Sequence, residues 1–159
     1  MGVVGGVWWA IGAAALVSAL ASCNDTSLHA QEKEALMKRG EKIYVSYCQT
    51  CHLANGQGIS TVYPPISNSD FIKARGITNV ALGVLWGRSG EMLVNGKRYN
   101  GVMAPMPTSY TDEDVAAVVT FVMNSWNNPG GIMRADEVQR LRAAGNPERR
   151  KANEKNEKK

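Results

Sequence analysis

Hydrophobic positions along this 159-residue chain change their spacing several times, and each change marks an element. Residues 2–22 carry no charge and form one continuous apolar run. Residues 24–31 turn polar and read as a short linker. From 32 to 47, apolar side chains return at Ala35, Leu36, Ile43, Tyr44 and Tyr47, which predicts an amphipathic helix. Residues 55–65, rich in Gly and Pro, read as loop. Short helices are expected over 70–74 and 78–86. Met92-Leu93-Val94 and Lys97-Arg98-Tyr99 flank Asn95-Gly96, the dipeptide that suits a type I′ turn, so a small hairpin is expected there. Thr111 followed by Asp112, Glu113 and Asp114 reads as an N-cap with acids in the first turn. The helix it starts is predicted to run to about Ser125, with Val115, Val118, Val119 and Val122 on its buried side. Another helix is expected over 135–144. The tail, 147–159, carries six basic and three acidic residues and almost nothing apolar, so it is expected to be disordered. The pattern predicts an all-α domain with one hairpin, of a size suited to a single domain with tails.

The first segment is read as targeting rather than fold. It ends in Leu20-Ala21-Ser22-Cys23, which resembles the lipobox of bacterial lipoproteins, where the cysteine becomes the lipidated first residue. The segment lacks the Lys or Arg that usually precedes the apolar run. An ordinary signal peptide or an uncleaved anchor remains the alternative, since about 20 apolar residues span a bilayer. The organisation expected is therefore a lipoprotein-type signal peptide at 1–22, a linker at 23–31, a domain at 32–128, an extension with a helix at 129–146 and a charged tail at 147–159.

Composition narrows the chemistry. Charged residues make up 20% and aromatic residues 7%, ordinary for a globular protein, and the net charge of +4 is modest. No basic stripe interleaves with aromatics, so nothing supports nucleic-acid binding. The informative motif is Cys48-Gln49-Thr50-Cys51-His52, the spacing of a covalent c-type haem site. Each thiol can add to a haem vinyl group, and the adjacent imidazole can reach the iron. Zinc would need a second ligand pair, and only Cys23 and His29 remain. A thioredoxin-like dithiol would need a βαβ setting, and the flanks here read as helical. One motif implies one haem c. With Cys23 on lipid, all three cysteines are used and none is left for a disulfide.

The second axial ligand decides what the iron does. A thioether favours ferrous iron and blocks small ligands, whereas a vacant position would admit gas or peroxide. Met103-Ala104-Pro105-Met106-Pro107 lies just before the capped helix, and prolines stiffen the loop. His29 lies in the linker, which argues against it. Both methionines serving only as packing is the plain alternative.

On these residues the chain resembles the class I cytochrome c family over 32–128. Gly40-Glu41-Lys42-Ile43-Tyr44 is similar to the family's first helix, and Phe121 matches its partner on the last helix. Asn55-Gly56-Gln57-Gly58 looks like the turn after haem attachment. Tyr63-Pro64-Pro65-Ile66 looks like the pocket segment whose proline carbonyl accepts the His52 ring N–H, and Pro64 is favoured over Pro65. Tyr99-Asn100-Gly101-Val102-Met103 resembles a bacterial subgroup of electron-transfer domains, often fused to or partnered with respiratory oxidoreductases. The resemblance implies several helices around one covalent haem, with the hairpin near the axial Met loop. Its register points to Met103 as the ligand, while the Met-Pro dipeptide points to Met106, and Met103 is preferred. Trp86 and Trp126 are expected as core or as haem-edge donors. Arg75, Arg88 and Arg98 are expected on the surface unless one pairs a propionate.

The expected function is single-electron transfer between respiratory redox partners outside the cytoplasmic membrane, by an exported, membrane-anchored protein facing the periplasm or the extracellular side. The alternative is a fixed haem subunit of a larger membrane respiratory complex. A gas sensor or enzyme with labile Met ligation ranks third.

Overall fold

The computed structural model describes residue 2 and residues 12–150, and for 12–26 and 28 only the backbone. The chain divides into two units, Met1–Glu34 and Ala35–Lys159. The described part of the first unit is helical: helix α1 is Gly12–Ile43 and includes residues 24–31, expected as linker. Polar composition there signals a solvated segment, not an irregular one. No Gly or Pro stands between Cys23 and Glu32, so nothing stops the helix. The Cys23 side chain and residues 151–159 of the tail lie outside the described residues. Residues 147–150 form one helical turn, with the Arg150 N–H donating to the Asn146 carbonyl. No helix among the described residues is long and apolar enough to cross a membrane.

In the second unit, α1 runs into a π-helical turn, Tyr44–Cys48, and then a four-residue α turn, α2, Gln49–His52. Helix α3, Asp70–Trp86, opens on a Ser69 cap whose Oγ accepts from the Ile72 N–H at 3.3 Å. It breaks at Gly76, φ 72°, which accounts for the two short helices expected there. Strands β1, Met92–Val94, and β2, Lys97–Tyr99, pair antiparallel with Val94 opposite Lys97. Asn95 and Gly96 hold φ of 49° and 74°, the double left-handed turn that the dipeptide favours. Helix α4, Asp112–Asn124, carries a capping box between Thr111 and Asp114. Helix α5 is Ala135–Ala144.

Helix α4 is the centre of the core. A one-sided apolar stripe was expected, but Val115, Ala116, Ala117, Val118, Val119, Thr120, Val122 and Met123 are all buried. The reason is tertiary: α4 is covered on more than one side. Toward α1 it packs at Gly40, where an added Cβ would lie 2.1 Å from the Ala117 carbonyl oxygen, so only glycine permits the crossing. Tyr44 then meets Phe121 and Trp126 at ring-centroid distances of 5.5 and 4.9 Å. Elsewhere the segment 129–146 closes over α4. Met133 and Val138 are buried, and Thr120 Oγ1 accepts from the Met133 N–H at 3.0 Å. Arg142 of α5 pairs with Asp112 and donates to the Tyr110 carbonyl. The extension thus supplies part of the domain's own core.

Candidate functional site

The chain bends sharply after α2. Leu53 at φ 61° ends the helix, and the Gly58 N–H returns to the His52 carbonyl at 3.0 Å. Gly58, φ 62°, lies so close to the returning strand that a Cβ would sit 2.3 Å from the Tyr63 carbonyl oxygen. Ile59 pairs with Tyr63, and both Ile66 and Ser67 donate to the Gly56 carbonyl. The folded loop presents the Pro64 carbonyl to His52 Nδ1 at 3.1 Å. A carbonyl only accepts, so Nδ1 carries the proton and Nε2 keeps its lone pair. Burial lowers the His52 pKa, with the Pro64 carbonyl opposing, and so favours the neutral ring. Asn128 anchors the loop to the end of α4, with Nδ2 donating to the Ile66 and Val122 carbonyls at 2.8 Å each.

His52 opens onto an apolar cleft with about 730 Å³ of empty volume, partly continuous with solvent. Cys48, Pro64 and Ile66 line it near His52, α3 and α4 contribute Val80, Val84, Val118 and Val122, and Met103 and Arg88 complete the wall. Cys51 and Tyr63 are half-buried but off that wall. Burial, then the neighbouring Cys51, pushes the Cys48 thiol up to about 12. A redox dithiol needs a thiol shifted the other way.

The methionine loop is stitched along the end of α3. Met103 and Arg88 exchange both backbone hydrogen bonds, 2.8 and 3.0 Å, and the Met106 N–H donates to the Val84 carbonyl at 2.8 Å. Gly87, φ 72°, must be glycine, since a Cβ would fall 2.4 Å from the Met103 carbonyl oxygen. The two methionines separate: Met103 is on the cleft wall, whereas Met106, 7% exposed, belongs to the core.

Arg88 departs from the expected surface position. It is half-buried, donates to the carbonyl and side-chain oxygens of Asn79, and lies 5.3 Å from the Phe71 ring centroid. Neither Asn79 nor Phe71 stood out in the sequence, because their role depends on Arg88 folding back across α3. Arg75 is exposed and also lies over Phe71, at 4.8 Å, and Arg98 pairs with exposed Glu91. Trp126 packs against Tyr44 and Phe121 as core, whereas Trp86 Nε1 is a buried donor with no partner among the described residues.

The donor set suits a haem. The Cys48 thiol, an imidazole with a free Nε2 and a thioether meet at one apolar cleft, with the Cys51 thiol three residues along the chain from Cys48. Arg88, a half-buried cation attracted by Glu148, stands on its wall, and its charge suits a carboxylate-bearing macrocycle.

Comparison with known proteins points the same way. The cytochrome c family model matches residues 37–126. Cytochrome c-552 of Thermus thermophilus is 35% identical over 112 residues, covering 65% of this chain and 84% of the relative. The cytochrome c subunit of a quinone alcohol dehydrogenase from Gluconobacter oxydans is 28% identical over 110 residues, covering 68% of this chain but 23% of the relative. Its counterpart in Komagataeibacter europaeus is 30% identical over 122 residues, again covering 23% of the relative. The matched stretch contains the residues that build the cleft, so the chain belongs to the cytochrome c family and is an electron-transfer protein rather than an enzyme.

Proposed function

We propose that this chain carries single electrons between respiratory redox proteins outside the cytoplasmic membrane, using one haem c bound covalently through Cys48 and Cys51. His52 Nε2 and the Met103 sulfur would be the two protein ligands to its iron. Bound haem supplies the one-electron couple, with iron alternating between ferric and ferrous. The carrying observation is that His52 and Met103 line the same apolar cleft while the Pro64 carbonyl occupies the other nitrogen of the ring. That hydrogen bond strengthens the imidazole as a donor. A thioether opposite it raises the potential and keeps small ligands off the iron. Met106 is the weaker candidate because its side chain is committed to the core. Ile66 packs on the cleft wall, and Tyr63 shapes the loop through its pairing with Ile59. Anchoring belongs to the same proposal: export, loss of residues 1–22 and lipidation of Cys23, with the domain facing the periplasm or the extracellular side. Covalent attachment is tested by acid–acetone extraction and the pyridine haemochrome spectrum. The haem should stay with the protein and give a c-type spectrum, and replacing Cys48 and Cys51 with Ala should abolish stable binding. Haem extracted from the unaltered protein would end the covalent assignment.

The second reading is a fixed haem subunit of a larger membrane respiratory complex. It is favoured by the two relatives that are named as subunits of a quinone alcohol dehydrogenase.

A further inference from the structure

We propose that Arg88 is a positioning residue that pins the Met103 strand to helix α3 and keeps its sulfur at the cleft, an inference that rests on Met103 being the axial ligand. The backbone pair between Arg88 and Met103, an isolated bridge, joins the segment after α3 to the Met loop. The Met106 N–H bond to the Val84 carbonyl ties the loop to α3 three residues further on, and the Arg88 side chain adds a tie at Met103 itself. Its Nη2 donates to both the carbonyl and the Oδ1 of Asn79, on the stretch of α3 that forms the cleft wall. Gly83 makes room for the crossing, since a Cβ there would lie 2.7 Å from Arg88 Nε. The Phe71 ring packs against the guanidinium, 5.3 Å from Cζ to the ring centroid. A surface ion pair would be screened by salt, whereas this anchor, being half-buried, is screened much less.

The test is imidazole binding to the ferric holoprotein, because an outside ligand reaches the iron only when the Met strand swings away. Apparent affinity rises with the open fraction. Arg88→Met keeps the stem and the backbone pair but removes the anchor, and should tighten imidazole binding about tenfold, as an order-of-magnitude population shift. Asn79→Ala keeps the charge but removes one acceptor, and should move affinity the same way by a smaller factor. If both variants bind imidazole as the unaltered protein does, the positioning role is overturned, even if the Arg88→Met potential shifts through loss of charge alone. If Arg88→Met fails to give a folded haem domain by circular dichroism, Asn79→Ala decides alone. Met103→Ala in the same titration separates the two readings. If it leaves the far-red ferric band and imidazole binding unchanged, the ligand assignment and the positioning role both fail. If it tightens imidazole while the Arg88 and Asn79 variants do not, only the positioning role fails.

Discussion

At the scale of single residues, the two methionines of the loop divide between wall and core, and the division predicts opposite phenotypes. Met103 reaches the cleft because its backbone pairs with Arg88, which is itself fixed to α3. Met103→Ala should abolish the weak far-red ferric band, lower the potential by more than about 100 mV from loss of the thioether, and open the iron to carbon monoxide. Met106→Ala should keep the band and instead lower the unfolding free energy by about 2–5 kcal/mol, the range for truncating a buried methionine. Visible spectra, a redox titration and denaturant unfolding on the two variants separate these outcomes. The reverse pattern would move the ligand to Met106 and leave the electron-transfer function intact.

Among the elements, α4 shows how context changes the meaning of a sequence pattern. Val115, Val118, Val119 and Val122 were legible as an apolar stripe, yet Thr120 and Met123 are equally buried because residues 129–146 close over them. That closure predicts that the C-terminal segment holds the domain together. Met133→Ala should cost about 2–5 kcal/mol of unfolding free energy, as for other large core truncations, with the far-red band retained. The α1–α4 crossing is equally sensitive. Gly40→Ala would place a methyl 2.1 Å from the Ala117 carbonyl oxygen, so the helices must part, and overpacking of this kind costs about 1–3 kcal/mol. Thermal unfolding of the two variants checks both expectations. Wild-type melting by Met133→Ala would show that the extension contributes nothing to the core.

For the whole molecule, the open choice is between a free carrier and a fixed subunit. If Cys23 is lipidated, mass spectrometry should find the mature chain starting at Cys23 with a thioether-linked diacylglycerol and an added amide chain, an anchor stronger than a single acyl chain provides. Cys23→Ala should release the protein to the soluble fraction or stall its processing. An unmodified N-terminus beyond residue 23 would remove the lipid anchor and leave electron transfer standing. Purification from membranes in mild detergent then distinguishes the two arrangements. A lone haem protein supports the free carrier, and a stable association with other redox subunits supports the complex.

Local chemistry made part of this protein legible in its sequence. Cys48, Cys51 and His52 need nothing beyond their spacing to indicate covalent haem, because the two thiols and the imidazole act within one short stretch of chain. Asn95-Gly96 and Thr111 with Asp114 are likewise short-range, so the hairpin and the capped helix follow from neighbours in sequence. The glycine-marked break in α3 was legible for the same reason. Other features depended on residues far apart in the chain. The apolar spacing of α4 could not show that a later segment buries its remaining sides. The polar stretch 24–31 read as linker because composition reports solvation and not backbone conformation, and there the chain is helical. The two methionines were alike in sequence until α3 and the Gly87-Arg88 strand put one at the cleft and the other in the core. Arg88 looked like a surface residue because its anchor, Asn79, comes within reach only when the chain turns after α3 and the Arg88 side chain crosses Gly83.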